Sequence, residues 1–246
     1  MKTKGLAWIV AAAVALSLAS VAAAQDEKSW SVSGGVDYTS LYIFRGVNLL
    51  GDDQEVLTPH VNLAVGNFNF YYYGYRGNFD TETGDDSYTE DDFGGDYTFA
   101  LGDKISLTVG AVTYQYSGTV ENGLGFADTY ELYGILALDV FLSPTFSFYR
   151  DMDAVKGGYG SLAISHSFPL GEKVSLDFSA ALGIDNKYNS GKTQLNDFLV
   201  GLNVPITFND HFDAHVMVQR SIALDALDDI GQPDETVYGV GLGFSF

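Results

Sequence analysis

From Trp30 to the end of the chain, large apolar residues recur at every second position and polar or small residues fill the places between. This two-residue period is that of a strand with one apolar and one polar face, and no sustained helical period competes with it. The first set is Trp30, Val32, Val36 and Tyr38, continuing as Tyr42 and Phe44. Leu57–Val65, Phe68–Tyr72, Tyr97–Leu101, Ile105–Val109 and Tyr130–Leu138 follow. Then come Phe146–Phe148, Leu162–Phe168, Val174–Ile184, Phe198–Ile206, Phe212–Val218 and Tyr238–Phe246, which makes twelve sets. The pattern predicts an all-β fold.

The links between the sets alternate in length. Tight joints with turn residues stand at Gly66-Asn67, Gly102-Asp103, Leu142-Ser143-Pro144, Gly171-Glu172 and Asn209-Asp210, and the links between them are longer and polar. Twelve strands joined this way have five short turns at one end, six long loops at the other, and both termini on the short-turn side. An alternating strand alone also fits a soluble sandwich with its apolar face inward. The even strand number, strands of about 9–11 residues and the loop alternation predict instead a transmembrane antiparallel up-and-down β-barrel, with short periplasmic turns and extracellular loops.

The N-terminus agrees with that compartment. Lys2 and Lys4 precede an apolar run from Leu6 to Ala23, and Ala22-Ala23-Ala24 supplies a small-residue cleavage pattern. Residues 1–24 are expected to be a removable secretory signal and residues 25–246 the barrel, located in the outer membrane. The last strand, TVYGVGLGFSF, places Tyr238, Phe244 and Phe246 on its apolar face. A terminal aromatic of this kind is similar to the signature read by the barrel-assembly machinery, which is the expected partner together with outer-membrane lipid.

The segment Ser40–Gly46, SLYIFRG, adds a family likeness. It resembles the S-x-Y-x-F-R-G segment of the TorF-type porins, Gram-negative proteins of similar length and unknown function. That resemblance implies a barrel and a pore without naming a substrate.

If the apolar set faces lipid, alternation turns the intervening residues toward the lumen. Parity places Asp37, Arg45, His60, Asn62, Asn69, Tyr71, Tyr73, Asp96, Thr98 and Thr108 inside. It does the same for Glu131, Tyr133, Asp139, Tyr149, Asp151, Asp177, Asp197, Asn203, Asp213, His215 and Gln219. A local bulge near Gly94-Gly95 or Gly157-Gly158 would reverse this parity. Arg45 is the one Arg in that list and faces many carboxylates, so it is expected either to form an ion pair that ties strands together or to touch a solute.

Charge then narrows the function. The chain carries a net charge of −20, and removing Met1 to Ala24 takes away two Lys and no acid. Nucleic acid would be repelled by such a surface. The lumen lacks the rows of Arg and Lys that an acidic oligosaccharide would need. Asp37, Asp96, Glu131, Asp139 and Asp177 should set cation preference, while Tyr71, Tyr73, Tyr133 and Tyr149 narrow the passage. Two loops hold most of the remaining acid: Asp80, Glu82, Asp85, Asp86, Glu90, Asp91 and Asp92 in one, and Asp225, Asp228, Asp229, Asp234 and Glu235 in the other. They could gather divalent cations, but the spacing of the first, DTETGDDSYTEDD, is not that of a dedicated calcium loop.

No cofactor, metal centre or enzyme is expected. His60 and His215 point inward, His166 and His211 lie near short turns, and the serines of Ser165-His166-Ser167 fall on the opposite face from the histidine. Two readings remain. One is a narrow passive channel for small neutral or cationic solutes; the other is a structural or surface-binding barrel with a side-chain-filled lumen.

Overall fold

A computed structural model describes residues 29–51, 54–79, 86–117 and 127–246. The expected signal segment and Asp80, Glu82 and Asp85 lie outside the described residues. The elements are β1 (Trp30–Thr39), β2 (Ile43–Phe44), β3 (Val47–Asn48), β4 (Val56–Val65), β5 (Phe68–Phe79), β6 (Asp86–Gly102) and β7 (Ile105–Ser117). They continue as β8 (Thr129–Leu138), β9 (Thr145–Asp151), β10 (Gly158–Pro169), β11 (Ser175–Asn186), β12 (Thr193–Thr207), β13 (Phe212–Ala223), α1 (Asp225–Asp229) and β14 (Glu235–Ser245).

Among the described residues, twelve antiparallel strands close into one barrel, each beside its sequence neighbour, and β1 meets β14 to complete the ring. Gly34 lies opposite Phe244 and Tyr38 opposite Val240 across that seam. The short turns and both ends of the barrel chain share one rim, as the sequence predicts. At the first of these turns Gly66 adopts φ +57°, a left-handed conformation open to glycine and suited to a two-residue hairpin.

The outward face is apolar. Phe68, Leu132, Leu162, Leu202, Val216, Val240 and Leu242 are all exposed on it. Water would penalise such a band, and lipid does not, which makes this an outer-membrane type of barrel. The buried side chains fill the lumen instead, among them Tyr42, Tyr88, Tyr114, Glu90, Glu131 and Asp185.

Three details depart from the sequence reading. Strand length is uneven, from the 7 residues of β9 to the 17 of β6, because β6 runs past the apolar band into the long-loop end. Gly94 and Gly95 stay in regular register with Val112 and Ala111, and Gly157 lies in the link before β10. The irregularities fall elsewhere, between Ala100 and Gly102 and between Leu182 and Ile184. At the second, Ile184 pairs with Leu195 and Leu182 with Phe198, so Asn196 and Asp197 oppose Gly183 alone. Both polar side chains thereby turn inward while Leu195 and Phe198 stay exposed.

Candidate functional site

The lumen is organised by a segment that local alternation assigns to the lipid face. After Thr39 the chain leaves the wall: Ser40 N–H donates to Tyr238 O at 2.9 Å, and Ser40 Oγ accepts from Tyr238 N–H at 3.0 Å. It then folds into the barrel as the hairpin β2–β3, with Phe44 paired to Val47. The two turn residues, Arg45 at φ 51° and Gly46 at φ +80°, are both left-handed, the geometry of a tight hairpin. Gly46 is also a close approach, since a Cβ there would come within 2.5 Å of Leu227 Cδ1 and 3.0 Å of Asp197 Cβ. Leu227, fully buried on α1, thus covers the hairpin from the long-loop side.

This corrects the expectation that Tyr42 and Phe44 extend the first strand against lipid. Tyr42 is buried, stacks on Tyr75 with ring centroids 4.5 Å apart, and donates to Glu90 Oε2 at 2.7 Å. Phe44 meets Tyr114 edge-on at 5.9 Å.

Arg45 at the hairpin tip reaches across to β8. Its Nη1 and Nη2 donate to Glu131 Oε1 and Oε2 at 2.7 and 2.6 Å, with the side chains 6% and 0% exposed. Tyr114 OH adds a third donor to Glu131 at 2.8 Å. The guanidinium lies over four rings, Phe44, Tyr149, Tyr159 and Tyr188, at 4.7, 5.0, 5.1 and 4.4 Å from their centroids. The Arg45 carbonyl accepts from Asn196 Nδ2 at 2.8 Å. Arg45 is therefore a wall-to-wall tie between the inner hairpin, β8 and the bulged part of β12.

Below the hairpin the predicted lumen residues form smaller groups. Asp37 stands between His60 Nδ1 at 3.4 Å and His215 Nε2 at 3.5 Å, and Tyr73 stacks on His60 at 5.2 Å. Asp96 accepts from Tyr133 OH at 2.9 Å, and the Tyr133 and Tyr71 hydroxyls are 3.1 Å apart. These rings lie flat on the wall over glycines: a Cβ on Gly94 would fall 2.0 Å from Tyr71 Cζ, and one on Gly110 2.4 Å from Tyr133 Cζ. Tyr149 packs against Tyr133 at 5.2 Å. Asp177 accepts from Ser167 and Ser175 at 2.6 and 2.9 Å, close to a short turn. Asp139 lies beyond β8, exposed in the link to β9 and beside Asp103 and Lys104 of the β6–β7 turn, so it belongs to the mouth and not to the lumen wall.

Two cavities flank Ile43 and Phe44. One, of about 380 Å³, is lined by residues including Arg45, Tyr71, Tyr73, Tyr75, Asp92 and Asp197. The other, of about 280 Å³, includes Asp37, Tyr42, Thr58, His215, Met217 and Gly239.

Sequence reasoning missed part of this lining. Glu90 and Asp92, assigned to an acidic loop, are on β6 with Tyr88, and the three point inward at 1%, 7% and 3% exposure. Their every-second-residue spacing was a usable signal. Asp91 between them faces out and pairs with Arg76 at 2.5 Å. The second acidic group is held by partners within the chain: Asp229 accepts from Lys192 at 2.7 Å and Gln194 at 2.8 Å, and Asp234 from Ala223 N–H at 2.9 Å and Arg220 at 3.0 Å. The Lys192 hydrogen bond holds Asp229 below the ordinary carboxylate range, and the Ala223 amide, then Arg220, do the same for Asp234. Among the described residues no group of three or more His, Cys, Asp or Glu has the arrangement to hold a metal ion.

The terminal aromatics lie on the outer face. Tyr238 is exposed toward the loop side. Phe246 exchanges hydrogen bonds with Val32 at 2.8 and 3.1 Å and gathers with His211, Phe212 and Phe244 at the short-turn rim.

Several solved structures share this architecture. The KdgM porin is similar at a TM-score of 0.55 and 12% identity, over 88% of this chain and 99% of that one. The NanC porin gives a TM-score of 0.54 and 14% identity over 87% and 98%. An outer-membrane channel from Pseudomonas putida F1 gives 0.55 and 10% over 88% and 95%. At such identities the likeness is one of fold. No curated protein matches the chain. A family model does match, over residues 23–216, and it bears the Gcw_chp name, while the TorF-type likeness rests on SLYIFRG. With most of its length inside that match, the chain belongs to the Gcw_chp family of bacterial proteins of unknown function.

Proposed function

We propose that the protein is a narrow, passive outer-membrane channel that prefers small cationic or neutral solutes and is constricted by its own inner hairpin. The observation that carries this reading is the charge of the lumen. Asp37, Asp96 and Asp197 face it, while its one buried guanidinium, Arg45, is neutralised by Glu131. Carboxylates in a confined passage raise the local cation concentration and oppose anions, and the effect fades as salt screens it. One solved relative by fold is described as the KdgM porin in complex with disordered oligogalacturonate. A polyanion of that kind would find no free basic row among the lumen residues described here.

The selectivity roles of Asp37, Asp96 and Asp177, and the narrowing roles of Tyr71, Tyr73, Tyr133 and Tyr149, are part of the same proposal, and Glu131 contributes to selectivity by cancelling the charge of Arg45. Asp139 acts at the mouth. Single-channel recording of the purified protein in a planar bilayer under a salt gradient tests it: the reversal potential should show cation preference, weakening as salt rises. Anion preference would refute the charge reasoning.

A structural barrel is the second reading, favoured by one observation: the hairpin and its Tyr partners fill the upper lumen. Arg45→Ala separates the two, because loss of the tie should raise conductance if the hairpin is a constriction. Silence from both folded proteins would support the structural reading.

A further inference from the structure

We propose that the 380 Å³ cavity beside the inner hairpin is a binding site for a small organic cation bearing N–H donors, a primary ammonium compound, with the unpaired Oδ1 of the Asp92 carboxyl as its polar contact. The inference deepens the channel reading by naming a solute class, and it rests on that reading for solute access to the lumen.

The cavity already holds one cation, supplied by the chain. Arg45 combines a carboxylate, Glu131, with aromatic faces at 4.4 to 5.1 Å. The remaining lining repeats those ingredients without a cation. Tyr71, Tyr73 and Tyr75 contribute rings, Asp92 contributes a carboxyl, and no Lys or second Arg is among the lining residues. A cation over such rings is favoured, more so where water is scarce.

Asp92 supplies the independent observation. Its side chain lines the cavity, the residue is only 7% exposed, and its Oδ1 has no hydrogen-bond partner. A buried carboxyl oxygen without a donor is costly, and an N–H from a ligand removes that cost. Asp197, on the same cavity, differs: its Oδ1 already accepts from Tyr159 OH at 2.9 Å and Asn196 at 2.8 Å. The volume suits a compact molecule. A metal ion is the poorer occupant, since no cluster of three His, Cys, Asp or Glu ligands exists among the described residues.

The test is isothermal titration calorimetry on the full-length barrel folded in detergent, with n-propylammonium chloride as probe and tetramethylammonium and sodium chlorides as controls. Folding of every variant is checked by heat-modifiable gel mobility. The expected result is saturable n-propylammonium binding that weakens at least tenfold in Asp92→Asn and in Tyr73→Leu, with little response to tetramethylammonium, which has no N–H. The second variant keeps the test decisive if Asp92→Asn fails to fold. No saturable binding to the unmodified protein, undiminished binding in the folded variants, or equal binding of tetramethylammonium would each overturn the proposal. Because binding is read without conductance, a silent bilayer with intact binding would refute the channel and leave the site.

Discussion

Replacing Arg45 by Ala removes a buried cation and leaves its partner in place. Glu131 is fully buried and receives two hydrogen bonds from the guanidinium, at 2.7 and 2.6 Å. Truncating one member of a buried ion pair costs about 3–5 kcal/mol, mainly through the charge left behind. Two features place this site at the lower end of that range. Tyr114 OH still donates to Glu131 at 2.8 Å, and water can reach the vacated space from the adjoining cavity. The expected loss is therefore ~3 kcal/mol, including the contact with four rings. It is measured by equilibrium urea unfolding of the barrel in lipid vesicles, followed by Trp30 emission and gel mobility. A second variant isolates the cause: Arg45→Ala with Glu131→Gln removes the stranded charge and should recover about 1–2 kcal/mol. A single variant as stable as the unmodified protein, or a double variant less stable than the single one, would refute the reasoning.

Leu202 is exposed on the outer face and Asn203 faces the lumen, so Leu202→Arg should cost about 2–4 kcal/mol in vesicles and Asn203→Arg clearly less; the reverse order in urea midpoints would overturn the orientation of β12. Deleting Phe246 removes two main-chain hydrogen bonds to Val32 and the ring stacked on His211, and should leave export intact while lowering the folded, heat-modifiable fraction in outer-membrane preparations; a normal folded yield would remove its role in assembly. Asp229 and Asp234 have depressed folded-state pKa values, so their contribution is present above the ordinary carboxylate pKa of about 4 and is lost as pH falls through the lower folded values. Hydrogen exchange at Ala223 N–H, normalised for intrinsic rate, should therefore quicken in acid, and constant protection well below the carboxylate range would contradict the pairing.

The strands were legible because a barrel in lipid shows two unlike faces, and a two-residue period with turn residues between marks each crossing. Arg45 was legible in kind, as a lone inward cation among acids. Its position was not. Tyr42 and Phe44 keep the even-numbered parity of Trp30 to Tyr38, so a strand that continues and a segment that folds back look alike locally. Contacts distant in sequence decide between them, with Glu131 and Asn196 lying 86 and 151 residues from Arg45. Glu90 and Asp92 were hidden for a different reason. Dense acid ordinarily marks a solvated loop, but a barrel lumen admits polar stripes on long strands, and β6 has the length to carry one. The inward pair Asn196-Asp197 arises from a bulge opposite Gly183, where Leu195 and Phe198, three residues apart, break the period of two.

The route of the hairpin also constrains the order in which the molecule is made. The segment is attached to β1, the first strand, yet its partners are on β8, on β12 and at Gln232 just before β14, all of which emerge later. β1 is also one side of the seam that β14 seals. Once that seam is zipped, the Arg45 guanidinium and the rings of Tyr42 and Phe44 would have to squeeze past Leu227 and the loop above to enter. The N-terminal segment must therefore wait, unsatisfied, and be enclosed as the ring shuts, as a bottle might be blown around its stopper.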